Sequence, residues 1–279
     1  MFVSVRLRKM VSDKNLRIAK VLVLLSASLI LVLATAGFGR AALTCIPVTT
    51  SRGALTTAAV DQSTGTIDAT SCDIGDYIIT NTGVSSLTVH DANQYGIFVD
   101  SGLGSITVSI TGASVYNIGA HTGTAFTPNG VQTGIGIIYD SGMGGPTAYG
   151  SVTSSNVHAY QKGGIEVNHN SNVSTIGNTV TGLGPVPFIA QNGIEYARDA
   201  AGVIRGNIVS DNFYTGGTGL LADGSPCGGT FPACPPGRQY VSCGILLVLI
   251  DPNNIQRGQN DVSNGNQHNY AVVTDSPLD

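Results

Sequence analysis

From position 105 the chain reads SITVSITGASV, and from 149 YGSVTSSNV, so that apolar and polar residues alternate over short runs. A period of two marks a half-buried strand, with one face on a core and the other in water. Ile165-Glu166-Val167 and Ile194-Glu195-Tyr196 follow the same rule. The runs are three to six residues long and end at Gly, Asn or Asp, which supply tight turns. The body of the chain also lacks the quantity of Ala, Leu, Glu and Lys that long amphipathic helices need.

The short strands recur in a fixed order. Q-x-G-I stands at 94–97, 132–135 and 191–194, with the variant QKGGI at 161–165 and a final C-G-I ending at Ile245. The isoleucines at 97, 135, 165, 194 and 245 are therefore 38, 30, 29 and 51 residues apart. A second landmark agrees, because Asn178 to Asn207 and Val180 to Val209 are each 29 residues. Repetition in the same order lays each strand beside its equivalent in parallel, about 4.8 Å away. The expected fold is all-β: a single-domain parallel β-helix, or solenoid, whose interior is filled by Ile and Val columns. Excess residues mark insertions at 119–130 and 216–240, the latter rich in Cys, Pro and Gly, and 182–190 is a third candidate loop.

Gly164-Ile165, Gly193-Ile194, Gly177-Asn178 and Gly206-Asn207 carry a resemblance to the right-handed parallel β-helix, or pectin-lyase-like, superfamily over roughly residues 60–275. Its handedness follows from that resemblance and from the right-handed rule for parallel connections. Asn178 and Asn207 suit inward ladders of stacked amides at turns. The signatures of the family's polygalacturonases, pectate lyases and pectin methylesterases are missing. A chain with no Trp cannot carry the W-I-D-H block of the pectate lyases. The G-I-D-P-H segment of uronate epimerases is echoed by GIEVNH and GIEYAR only in position and acidity.

Composition changes the picture at the N-terminus. Arg6, Arg8, Lys9, Lys14, Arg17 and Lys20 precede the apolar run from Val21 to Leu33, and ATAGFGRAA offers small-residue cleavage sites after Ala36 or Ala42. This reads as a signal peptide over residues 1–42, with residues 43–279 as the β-helix and a secreted, extracellular location. An uncleaved anchor is the alternative, and it would be the only membrane attachment. Residues 1–36 contain six of the 13 basic side chains and one of the 17 acidic ones, which leaves 7 and 16. A net charge of about −9 carries no basic footprint for nucleic acid. A polysaccharide or cell-surface glycan remains open as a partner.

All five cysteines follow the signal. Cys45 and Cys72 are 27 residues apart, close to one repeat, and suit a disulfide across the first turn of the repeat. Of Cys227, Cys234 and Cys243, two are expected to pair.

The candidate chemistry sits on the repeat. Glu166 and Glu195 should face outward one rung apart, where two like charges repel by about 1 kcal/mol in water. One of them could then hold a proton near neutral pH. Arg198 and His169 lie three residues further along the two units. In an enzyme Glu195 would be the general acid or base, Glu166 would tune it, and Arg198 would neutralise a substrate carboxylate. The other reading is that a repeat copies its surface residue, with Arg198 or Lys162 neutralising the pair. Asp100, Asp140 and Asp199 follow their isoleucines in turn positions, suited to capping backbone N–H groups or, in β-helix enzymes acting on uronates, to calcium. No calcium repeat motif is present, and no cofactor or metal is expected. His90-Asp91 is either a dyad or a strand-end turn, and His121, His158 and His268 stand isolated. Two functions follow: a non-catalytic surface or glycan-binding scaffold, or an extracellular polysaccharide lyase, epimerase or hydrolase.

Overall fold

The computed structural model describes residues 44–53, 55–59, 64–215, 242–258 and 261–273, all within one compact unit. The expected signal segment and the 216–240 loop, with Cys227 and Cys234, lie outside the described residues. Nearly every described element is a strand, and one short 3-10 turn at Pro252–Asn254 is the exception.

Three parallel sheets share the strands. The first contains, in hydrogen-bonded order, Ile46–Thr49, Leu55–Ala58, Ile74–Ile78, Tyr95–Asp100, Ile135–Asp140, Gly163–Asn168, Asn192–Ala197, Cys243–Val248 and His268–Val273. The second runs from Thr82–Ser85 through Ile106–Thr111, Ala148–Thr153, Asn172–Ile176 and Ala201–Arg205 to Ile255–Arg257. The third runs from Gly65–Asp68 through Leu87–His90, Ser114–Ile118, Asn156–Tyr160, Thr179–Val186 and Ile208–Tyr214 to Val262–Asn264. From Ile74 onward the chain visits first, second and third sheet in that order, again and again. All-parallel pairing in this cyclic order is compatible with a β-helix. The antiparallel pairs among the described residues are the N-terminal hairpin, Ile46–Thr49 with Leu55–Ala58, and a small hairpin, His121–Thr122 with Ala125–Phe126, in the 119–130 insertion.

The register explains the Gly-Ile landmark and corrects one of its members. Ile97 pairs with Ile137, then Ile165, Ile194 and Ile245 follow in one column. Ile135 pairs instead with Tyr95, so the repeat unit is Gly136-Ile137, two residues after the expected one. The preceding glycines, Gly96, Gly136, Gly164 and Gly193, face inward against the valines of the third sheet. A methyl group built at Gly164 would meet Val180 Cγ1 at 2.3 Å and the Gly193 carbonyl at 2.5 Å. Gly193 is confined in the same way by Val209 and Gly244. These glycines are required by close approach, since the first and third sheets could not converge over a larger residue.

Ile, Val and three buried tyrosines, Tyr139, Tyr160 and Tyr196, fill the space between the sheets. Each fully buried Ile or Val contributes about 1.5–3 kcal/mol of transfer free energy. Tyr139 and Tyr196 satisfy their hydroxyls by donating to the carbonyls of Val108 and Val173 at 2.8 and 2.7 Å. The turn between the second and third sheets has the expected amide ladder. Ser155 N–H donates to Asn178 Oδ1, Asn178 donates through both N–H and Nδ2 to Asn207 Oδ1, and Asn207 donates likewise to Asp261. Cys45 and Cys72 form the expected disulfide. Cys243 is a free, buried thiol, pushed up to about 12 by burial and by the charge of Glu195.

A second, smaller apolar cluster lies on the outer face of the first sheet. Tyr95, Phe98, Ile135, Ile138, Ile74 and Ala58 pack there with Val48 of the N-terminal hairpin. The hairpin's turn carries Arg52 to the edge of this cluster, where the outward column changes from Phe98 and Ile138 to Glu166 and Glu195.

Candidate functional site

Glu166 and Glu195 are direct partners in adjacent parallel strands, both half-buried on the outward face as the alternation requires. Their surroundings differ. Glu166 accepts from Arg52 Nη2 and from Asn168 Nδ2, each at 3.1 Å. Glu195 accepts from Asn192 Nδ2 at 2.7 Å. Burial and the nearby carboxylates of Glu195 and Asp140 push the Glu166 carboxyl above its ordinary range, against the pull of Arg52.

Arg52 ion-pairs with Glu166, a counter-charge that the sequence expectation of Arg198 or Lys162 did not include. Lys162 Nζ donates to the Ala190 carbonyl at 3.2 Å, and Arg198 Nη1 reaches Asn168 Oδ1 at 3.5 Å. Arg52 comes from a hairpin 114 residues before Glu166, which no repeat spacing could have revealed. It also ion-pairs with Asp140 and donates to Tyr95 Oη at 3.3 Å. Burial works against the guanidinium's charge, yet Glu166 and Asp140 hold it firmly protonated.

Asp140 is the centre of this network. Its side chain has no exposed surface, and it accepts from Arg52, from His169 Nδ1 at 2.7 Å and from the Gly142 N–H at 2.8 Å. Burial opposes ionisation, but the hydrogen bond from His169 and the charge of Arg52 pull its pKa down to about 2. The bond to Gly142 two residues on is turn chemistry, and Asp100 caps Gly102 N–H in the same way at 2.9 Å. Asp140 therefore has a turn-capping role and a charge-organising one together.

His169 and Arg198 occupy equivalent places one rung apart, each with φ in the left-handed region, at 50° and 53°. They line a shallow, open cavity with Asn170, Asp199, Met143 and Leu249. Of the four expected site residues, His169 thus joins Glu166 through Asp140 and Arg52, and it joins Arg198 at the cavity. Neither glutamate lines that cavity.

The histidines expected to stand apart do not all do so. His90, Tyr116 and His158 stack on successive rungs of the third sheet, with ring centroids 5.1 and 5.2 Å apart and planes within 11° and 6°. His121 reaches the same region from the inserted hairpin. His90-Asp91 closes a hydrogen bond at 2.6 Å at the end of its strand. No family model matches the chain, and neither a curated protein nor a solved structure matches it.

Proposed function

We propose that this chain is an exported, pectin-lyase-like parallel β-helix that serves as a non-catalytic glycan-binding scaffold. The N-terminal basic and apolar segment and the Cys45–Cys72 disulfide support export. The open cavity around His169, Asn170, Arg198 and Asp199 is the proposed glycan site. It combines polar donors and an acceptor with the apolar faces of Met143 and Leu249, the mixture that a sugar's hydroxyls and C–H faces require.

The observation that carries this reading is the engagement of Glu166. Its carboxylate is bound by Arg52 and Asn168 at the turn of the N-terminal hairpin and stands outside the cavity. A general acid or base needs its proton within reach of substrate. One observation favours an enzyme instead: a carboxyl with a raised pKa beside a second carboxyl is how acid/base pairs arise. That enzyme would be a polysaccharide lyase, epimerase or hydrolase using Glu195.

A glycan array probed with the wild type and with Arg198→Ala tests the proposal. Wild-type binding that falls at least about tenfold in the variant is expected, the loss of a charge-assisted hydrogen bond. Binding unchanged by the substitution would remove the cavity from consideration.

A further inference from the structure

His169 reaches the cavity with one of its two ring nitrogens already committed. Its Nδ1 lies 2.7 Å from Asp140 Oδ1. That carboxylate is charged throughout the neutral and mildly acidic range, because its pKa is drawn down to about 2, and a charged carboxylate can only accept. The hydrogen bond made by one ring nitrogen decides where the imidazole carries its proton. Here the proton is held on Nδ1, and Nε2 is the nitrogen left for the cavity that His169 lines. The Asp140 side chain has no exposed surface and that of His169 only 17%, so the ring is held against the wall of the cavity.

The charges around this ring come from three places. Arg52, from the N-terminal hairpin, occupies the other Asp140 oxygen, and Glu166 meets the set through Arg52. From the next rung Arg198 and Asp199 line the cavity beside His169. The rest of the lining is uncharged. His169 and Arg198 hold equivalent positions with the same left-handed backbone, on strands about 4.8 Å apart. One ligand can therefore meet both side chains.

We propose that His169 sets which sugars the cavity accepts, with Asp140 as its positioning residue. The inference rests on the reading of this cavity as the glycan site. In the neutral ring Nε2 is a lone pair that accepts from a sugar hydroxyl, while Arg198 donates beside it. Histidine is the side chain whose charge ordinarily changes between about pH 5 and 8. A proton taken up in mild acid goes to Nε2, since Nδ1 is already protonated, and it turns the acceptor into a charge-assisted donor. His169 and Arg198 then offer two positive donors to one ligand. The favoured class changes from a neutral sugar to one with an anionic group, a carboxylate or a sulfate.

Calorimetry at pH 5.5 and pH 8.0 tests this with a galacturonate trisaccharide, the uncharged methyl ester of the same sugar, and a sulfated galactose trisaccharide. Ordinary carboxyls titrate near about pH 4, so the uronate keeps its charge at both values. Affinity for an anionic probe relative to the ester should rise at least about fivefold from pH 8.0 to pH 5.5, and the probe that gains names the anion. In His169→Gln, shown folded by a matched thermal melt, the ratio should not change with pH. Nitrogen-15 NMR at pH 8.0 needs no ligand: the wild type should carry the His169 proton on Nδ1, and Asp140→Asn should shift part of the population to Nε2. A wild-type ratio that ignores pH, a rise that persists in His169→Gln, or a proton found on Nε2 of the wild type would each overturn the inference. So would failure of both anionic probes to bind at pH 5.5. The glycan reading falls separately, when the array shows no binding or binding indifferent to Arg198→Ala.

Discussion

At Asp140 a carboxylate with no exposed surface faces Arg52, His169 and the Gly142 N–H, and each of those partners favours its charged form. Its pKa falls from 3.8 in the ordinary state to about 2 in the fold. A depressed carboxylate contributes stability that is present above the unfolded pKa and lost as pH falls through the folded one. Urea unfolding should therefore lose about 2 kcal/mol between pH 4 and pH 2 on account of this group, and Asp140→Asn should flatten that limb. Glu166 has the opposite sign. Its carboxyl is raised, so its contribution is present below the unfolded pKa and lost as pH rises through the folded one. Glu166→Gln should accordingly lessen the loss of stability as pH rises through that range. Arg52→Ala leaves Asp140 buried with His169 and the Gly142 N–H as its remaining partners. Breaking a wholly buried pair costs about 3–5 kcal/mol, and the 30% exposure of Arg52 lowers the expected cost to about 2 kcal/mol, read as a shift in the urea midpoint.

At the scale of the element, the repeat was legible because the same side chains recur in the same rung positions. Ile165, Ile194 and Ile245 pair in register, and Asn178 and Asn207 form the ladder that their spacing implied. Ile135 misled because Gly134-Ile135 and Gly136-Ile137 stand side by side, and only the strand register selects the second. Arg52 and the His90–Tyr116–His158 stack stayed hidden for a related reason. Their partners are distant in sequence, and outward-facing residues need not repeat to stack. The inward glycine column allows a sharp test. Gly164→Ala drives a methyl group against Val180 and the Gly193 backbone, and a loss of about 3 kcal/mol in urea unfolding is expected. Gly83, whose added methyl would meet nothing within 4 Å, should tolerate Ala to within about 0.5 kcal/mol.

For the molecule as a whole, the Cys45–Cys72 disulfide closes a 27-residue loop that ties the N-terminal hairpin to the first rungs. Chain-entropy arguments give about 3–4 kcal/mol for a loop of this length, so the Cys72→Ser variant should melt well below the wild type. That hairpin carries Arg52, so the disulfide also supports the network that engages Glu166. The function proposed rests on that engagement: a carboxyl pair used for charge balance beside a separate binding cavity. The most direct test is to incubate the wild type with a panel of neutral and uronate polysaccharides from pH 4 to pH 9 and assay new reducing ends, unsaturated products and epimerised residues. A non-catalytic scaffold will form none of these while binding glycan on an array. Any such product that appears with the wild type and disappears with Glu195→Gln would contradict the account and make the glutamate pair catalytic.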